Sequence, residues 1–298
     1  MSDRQRALAW EARWTLPTAI ASFAAVALVI ASFVIGASLG GDGEAESLRE
    51  IHDSGGTLIL ASAVQALGFA LLVFPFLYLF QAALLRSDRM RSQFRALVVA
   101  APLALAIAAV LNGVSASDAA SDFVAGKSQA TLSVSDASDE CRSERKDDAE
   151  AFSSEFGKGK EALSRCVEKE RENDAASQAI EDASLRAPAQ ILQLAGVLAL
   201  AFAFVYCSLN AMRVGLLSKF WGSLGIALGV ASVLGLFEIA LLWFAYFGLL
   251  VAGWVPGGRP PAWAAGEAVP WPSPGERMAG IEGGDDEDDE GKGSGPET

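Results

Sequence analysis

The sequence predicts an all-α fold: a polytopic membrane helix bundle of six transmembrane helices, with an external helical hairpin insert and a disordered acidic tail. Hydrophobic residues make up 52% of its 298 residues, and the mean hydropathy of +0.32 is high for a soluble domain. The net charge is nevertheless −13. The charge must therefore lie outside the apolar stretches, each of which approaches the ~20 residues that cross a bilayer.

Six apolar stretches predict the spans, the last two only marginally. They cover residues 16–39, 56–80, 96–116, 188–212, 220–236 and 239–255. Pro75 and Pro102 lie inside them and predict kinks. Glu238 favours a turn at an outer surface, because a charge is costly at the bilayer centre. We therefore expect two short helices between 220 and 255, with one broken helix as the alternative.

Arginine and lysine near the span ends predict the orientation. They concentrate in three places, the N-terminal stretch and the loops at 85–95 and 213–219. This predicts a multi-pass protein of the cell membrane with both termini cytoplasmic, and the length of the first span favours a retained anchor over a cleaved signal peptide. The domains are then a cytoplasmic N-terminus (1–15), helices 1–3 (16–116), an extracellular helical insert (117–187), helices 4–6 (188–255) and a cytoplasmic disordered tail (256–298).

The insert contains apolar residues at four-residue spacing on both sides of Gly157 and Gly159, which predicts two helices and a turn. The second helix could continue into the fourth span as far as Pro188. Cys141 and Cys166 are a disulfide candidate, because an oxidising exterior permits the bond. Closing a loop of about 25 residues contributes on the order of 3 kcal/mol. The insert is either a sensing or docking element or a solvated hairpin that joins two spans.

Small residues in the spans predict close helix packing, through a GxxxG pair at Gly225 and Gly229 and a looser pair at Ser32 and Gly36. Amide side chains within the spans either hydrogen-bond between helices or line a pathway for a polar solute. These polar intramembrane residues are Gln65, Asn112, Gln190 and Gln193.

The region after the last span is rich in Pro, Gly and Trp, a composition that favours extended chain. Trp263 and Trp271 could lie on the headgroups, dock on the cytoplasmic loops or bind a partner. The acidic run at 285–290 predicts a solvated, disordered end.

A resemblance rests on the run Asn210–Leu217, the Gly-rich fifth span, the GRPPAW and GEAVPWP segments within 257–272, and Asp122 with Phe123. These features resemble an actinobacterial family of multi-pass integral membrane proteins of unknown function. The resemblance covers mostly the C-terminal third. It implies a membrane protein and carries no activity, ligand or catalytic residue.

The sequence contains no nucleophile elbow, HExxH, P-loop or GxGxxG motif. We therefore expect no enzyme activity, no catalytic or metal site and no cofactor. The candidate partners are membrane lipids and other envelope proteins, met through the external insert or the Trp/Pro-rich tail, and the acidic charge argues against nucleic acid. The favoured function is a noncatalytic integral membrane protein of the cell envelope whose insert interacts or senses. The alternative is a small-solute channel or transporter.

Overall fold

The computed structural model describes residues 3–41 and 43–271, and the regular secondary structure of this part of the chain is helical, without strands. Twelve α-helices occur there. They are α1 (Asp3–Ala37), α2 (Glu44–Asp53), α3 (Thr57–Leu71), α4 (Val73–Leu84), α5 (Arg95–Val124), α6 (Val134–Asp147), α7 (Ala149–Phe156), α8 (Lys160–Asp182), α9 (Arg186–Arg213), α10 (Lys219–Val233), α11 (Phe237–Ala252) and α12 (Pro261–Ala265).

Four helical segments of the described chain are long and apolar enough to cross a membrane: Arg4–Ala37, Thr57–Leu84, Ser92–Val124 and Arg186–Arg213. Helices α10 and α11 are apolar but have only 15 and 16 residues. At a rise of 1.5 Å per residue they are about 22–24 Å long. That is shorter than the ~30 Å hydrocarbon core.

Six helices form a closed ring, in which α1 contacts α3, followed by α5, α9, α10 and α11, and α11 returns to α1. A glycine allows close approach at each of these six contacts, because Gly225 faces α11 as well as α9: an added Cβ would lie 3.2 Å from Trp243 Nε1. The glycines are Gly68 (α3 on α1), Gly113 (α5 on α3), Gly196 (α9 on α5), Gly225 and Gly229 (α10 on α9), and Gly248 (α11 on α1).

The second long segment breaks at Leu72, three residues before Pro75, and α4 then runs inside the ring. It contacts α1, α5, α9 and α11. Phe76 of α4 packs edge-on against Phe204 and Phe244, with ring centroids 4.9 and 5.0 Å away. Aromatic side chains from α4 therefore fill the centre of the bundle in the half that contains α4. The kink predicted at Pro75 thus has a packing role, whereas α5 continues unbroken through Pro102.

The two ends of the bundle differ, and we name them by what they carry. The headpiece, α6 to α8, lies at one end and has its own small core, formed by Cys141, Phe152, Phe156, Ala162 and Cys166. Its third and last helix, α8, ends at Asp182 and α9 begins at Arg186. The predicted continuity of that helix with the fourth span is therefore wrong, and the break precedes Pro188.

The tail end carries the loop 85–94, the turn 214–218 and residues 256–271. The prediction that 256–298 is disordered is wrong for the first part of that range. Residues 256–271 include the short helix α12 and pack against the bundle through Trp263, which is only 5% exposed. The acidic run at 285–290 lies outside the described residues.

Candidate functional site

A cavity of about 240 Å³ lies in the headpiece half of the ring. Five polar side chains line it: Gln65 of α3, Asn112 of α5, Gln193 of α9, Ser232 of α10 and Glu238 of α11. The cavity exists because two elements stop short. Helix α4 fills only the tail-end half, and the α10–α11 hairpin turns at residues 234–236 after its first short helix.

Only some of the polar side chains that line the cavity form hydrogen bonds. Asn112 Nδ2 donates a hydrogen bond to Gln193 Oε1 over 2.9 Å. Within the described chain, the Gln65 amide and the Glu238 carboxylate make no hydrogen bond or ion pair. Gln65 is half-buried, whereas Glu238 is exposed at the rim of the cavity.

Aromatic rings complete the lining. Phe33 of α1, Phe69 of α3 and Phe237 of α11 face the same cavity. The Phe69 and Phe237 ring centroids lie 5.5 Å apart at an interplanar angle of 59°. The cavity therefore combines a carboxylate, three amides and three π faces.

A second cavity of about 570 Å³ lies directly under the headpiece. It shares Asn112 with the first and is lined by Glu44, Arg186 and Gln190 among others. The sequence predicted four polar intramembrane residues, and the structure distributes them over these two adjoining cavities. Gln190 does not reach the Asn112–Gln193 pair and belongs to the headpiece side.

Helix α8 fastens the headpiece to the bundle through three neighbouring side chains. Asn173 Oδ1 accepts a hydrogen bond from the Ala45 N–H in the first turn of α2, over 3.2 Å. Ser177 Oγ donates to the Glu44 carboxylate. Asp174 Oδ2 accepts from the Leu132 N–H over 2.8 Å. A small alanine-rich core between α2, α5 and α8 supports these contacts.

Two headpiece carboxyl groups have shifted pKa values of opposite sign. The hydrogen bond from the Leu132 N–H lowers the pKa of Asp174, with further hydrogen bonds from Thr131. Partial burial raises the pKa of Glu170, and the nearby Glu140 and Glu144 carboxylates raise it further. The α6–α8 contact therefore concentrates negative charge around Glu170.

Cys141 and Cys166 are joined by a disulfide bond, with their Cα atoms 6.0 Å apart. The bond connects α6 to α8, and Phe152 and Phe156 of α7 pack beside it. Cys207 is a free, buried cysteine of α9.

At the tail end, a buried ion pair joins Arg86 to Glu11 of α1, and the two side chains are 0% and 7% exposed. Arg86 Nη2 donates to Glu11 Oε2 over 3.1 Å and to the Ala262 carbonyl of α12 over 3.0 Å. The guanidinium lies 5.8 Å from the Trp263 ring centroid. Trp263 in turn stacks on Tyr78, with centroids 5.7 Å apart.

The two tryptophans of the tail also hold the turn after α9. Trp263 Nε1 donates to the Leu216 carbonyl over 2.9 Å, and Trp271 Nε1 donates to the Leu217 carbonyl over 2.8 Å. Gly215 has a left-handed φ of 80°, and a Cβ there would overlap the Val269 carbonyl. Of the three possibilities for these tryptophans, the structure shows docking on the loops. Two of the segments on which the resemblance rests, Asn210–Leu217 and 257–272, therefore contact each other.

The predicted packing residues have different surroundings. A Cβ on Gly229 would lie 2.9 Å from the Ala201 carbonyl, and one on Gly225 would overlap Ser208 Oγ. A Cβ on Gly36 would have no neighbour within 4 Å, and Ser32 Oγ donates to the Val29 carbonyl of its own helix. The Ser32–Gly36 pair therefore does not form the close helix contact expected of it within this chain.

Sequence reasoning missed the buried Arg86–Glu11 pair and Glu238 as a cavity residue. Arg86 was counted only as a loop cation, and Glu238 only as a marker of a turn. No periodicity in the sequence links Glu11 to Arg86, and none links Glu238 to the other residues of the cavity. The one available signal was that each lies at the end of an apolar stretch, where a charge is unusual.

Comparison of the chain with protein-family models, with curated proteins and with solved structures gives no match. The class of the protein therefore rests on its own features. Its several long apolar helices are those of a helical membrane protein with multiple spans.

Proposed function

We propose that the chain is a noncatalytic, multi-pass protein of the cell membrane whose headpiece lies outside the cell and is its interaction or sensing element. Six helices cross the membrane in this proposal, the α10–α11 hairpin supplying the last two, and both termini are cytoplasmic. The basic side chains around the tail-end loops support this orientation. Because α10 begins and α11 ends at the tail end, the chain returns to that side even if the turn between the two helices does not reach the outer membrane surface.

The attachment of the headpiece to the bundle carries the proposal. A connector between two spans requires neither an internal core nor a disulfide, and the headpiece has both. It is also fixed to the bundle, because Asn173, Asp174 and Ser177 hold α2 and the segment before α6. Such fixing orients one surface relative to the membrane, as a docking element requires.

The charge of the headpiece indicates the chemistry of its partner. Residues 134–182 contain 15 acidic and 8 basic side chains, a difference of −7. Complementary charge favours a basic protein surface, since opposite potentials steer association and like charges repel. We infer that the partner is an envelope protein with a basic face.

In vivo crosslinking followed by mass spectrometry tests this function. We expect the triple variant Glu140→Lys, Glu150→Lys, Glu161→Lys, which reverses exposed headpiece charges, to lose the proteins that the wild type crosslinks. The control variant Asp88→Lys, Glu267→Lys reverses exposed charges at the tail end and should keep them. An unchanged crosslinked set in the headpiece variant, inserted at wild-type level, would contradict the proposal.

One observation favours a second candidate, a small-solute channel or transporter. The amide-lined cavity and the cavity under the headpiece meet at Asn112, which gives a polar solute a place inside the bundle. The tail-end half is filled by aromatic side chains and closed by Trp263. Passage would therefore require the tail to move. Solute flux into liposomes that depends on Gln65 and Gln193 would support this candidate over the first.

A further inference from the structure

We propose that the amide-lined cavity binds a small organic ammonium ion, with Glu238 as its counter-charge. This inference concerns the bundle and does not rest on the headpiece function. Its basis is the conjunction of an exposed, unpaired carboxylate at the rim, a half-buried, unpaired amide and three aromatic rings around one space in the headpiece half of the bundle.

The charge distribution selects a cation. Of the described residues that line the two adjoining cavities, Glu44, Arg186 and Glu238 are charged. The first two have opposite signs and line the outer cavity together, so their fields largely cancel. Glu238, which is exposed at the rim of the inner cavity, is left as the uncompensated charge, and a negative charge beside a space lined by amides and aromatic rings favours a cationic partner.

The remaining lining selects an organic cation over a metal ion. Calcium and magnesium require six or more oxygen ligands, whereas this cavity offers one carboxylate and three amide oxygens. Phe33, Phe69 and Phe237 supply π faces, which attract alkylammonium groups through cation–π interaction. The Gln65 amide remains available to hydrogen-bond a hydroxyl or an N–H of the ligand.

The dimensions limit the ligand to a small one. A volume of about 240 Å³ lies below the roughly 300–1,000 Å³ of pockets that hold drug-sized molecules. Access runs beneath the headpiece, because Asn112 lines both this cavity and the outer one. A ligand of one ammonium group and a few carbon atoms meets these limits.

Isothermal titration calorimetry of the full-length protein in detergent tests the site with choline as probe. Its neutral isostere 3,3-dimethyl-1-butanol has the same shape without the charge, and sodium chloride matches the ionic strength. We expect choline to bind at least about tenfold more tightly than the isostere, since cation–π contacts and the carboxylate act only on the cation. Equal affinities, or heat from choline no greater than from sodium chloride, would overturn the proposal.

Variants place the binding in the cavity. Glu238→Gln should weaken choline binding by about threefold or more, and Phe33→Leu should weaken it without changing the cavity charge. The matched control Glu181→Gln removes an exposed carboxylate outside the cavity and should leave the affinity unchanged. Thermal unfolding of each variant establishes that it is folded. Choline affinity that survives both Glu238→Gln and Phe33→Leu would assign any binding to another site.

Discussion

Individual charged residues have opposite effects on stability at the two ends of this molecule. At the tail end, Arg86 and Glu11 are buried and satisfied, since the guanidinium also donates to backbone carbonyls of α4 and α12. In the headpiece, Glu170 lies among like charges and has a raised pKa. The first arrangement depends on both partners, whereas the second is relieved by removing a charge.

The buried pair gives a stability prediction. Glu11→Leu should lower the free energy of unfolding by about 3–5 kcal/mol, because it leaves the Arg86 guanidinium buried without its counter-charge. The double variant Glu11→Leu, Arg86→Met should recover much of that loss. Denaturant unfolding in detergent micelles measures both. A double variant as unstable as the single one would show that the pair is not the source of the effect.

Glu170 and Asp174 are expected to affect the pH dependence of headpiece stability in opposite directions. Glu170 has a folded pKa above its usual 4.5, so its charge destabilises the headpiece at neutral pH and this cost disappears as the pH falls through the folded pKa. Asp174 has a folded pKa below its usual 3.8, so it stabilises above that value and the benefit is lost at lower pH.

Thermal unfolding of the headpiece between pH 3 and pH 8 checks these signs. Glu170→Gln should raise the melting temperature at pH 7 and converge with the wild type in acid. Asp174→Asn should lower it at pH 7 and also converge in acid. Destabilisation by Glu170→Gln at pH 7 would contradict a pKa raised by partial burial and by the neighbouring carboxylates.

At the scale of elements, hydropathy predicted the long spans because a bilayer imposes their length. It did not predict α2, α6 or α12, which are short and are stabilised by neighbours. The first turn of α2, for example, receives the Asn173 side chain from far along the sequence. The glycine pairs illustrate the same limit of sequence information. A motif of small residues indicates that two helices can approach closely, but the surroundings in the folded protein decide whether a partner helix is there. Gly225 has such a partner and Gly36 has none.

This difference predicts the effects of two matched substitutions. Gly225→Ala should destabilise the bundle by about 1–3 kcal/mol, because the added methyl group overlaps Ser208 of α9. Gly36→Ala meets open space and should be neutral or stabilise α1 by up to about 1 kcal/mol. Thermal unfolding in detergent would rank the two variants, and equal effects would contradict the assigned α9–α10 contact.

The disulfide provides the test for the headpiece helices. Replacing Cys141 and Cys166 with Ser should destabilise the headpiece by roughly 2–4 kcal/mol and leave the bundle intact. Limited proteolysis should then cleave between α6 and α8 while the long helices stay protected. Mass spectrometry of alkylated, unreduced wild type should find neither thiol modified. Free reaction of both thiols in native membranes would contradict the pairing in the cell.

For the whole molecule, the sequence predicted an all-helical chain with several long apolar segments and a polar insert between them. The structure has these features. The arrangement of the spans was beyond reach, because nearly every face of these helices is apolar and no periodicity separates lipid from protein. The two short helices α10 and α11 were predicted from the position of Glu238, but the central position of α4 could not be read from composition. The cavity with Gln65, Asn112, Gln193 and Glu238 results from these two features, so it too was hidden.

The central claim is that the headpiece and the tail end lie on opposite sides of the cell membrane. Labelling of intact cells with a membrane-impermeant maleimide tests it, using Lys158→Cys on the headpiece and Asp88→Cys in the tail-end loop, each in a Cys207→Ala background. We predict labelling of Lys158→Cys in intact cells and of Asp88→Cys only after the cells are lysed. Labelling of Asp88→Cys in intact cells, with Lys158→Cys protected until lysis, would contradict the claim.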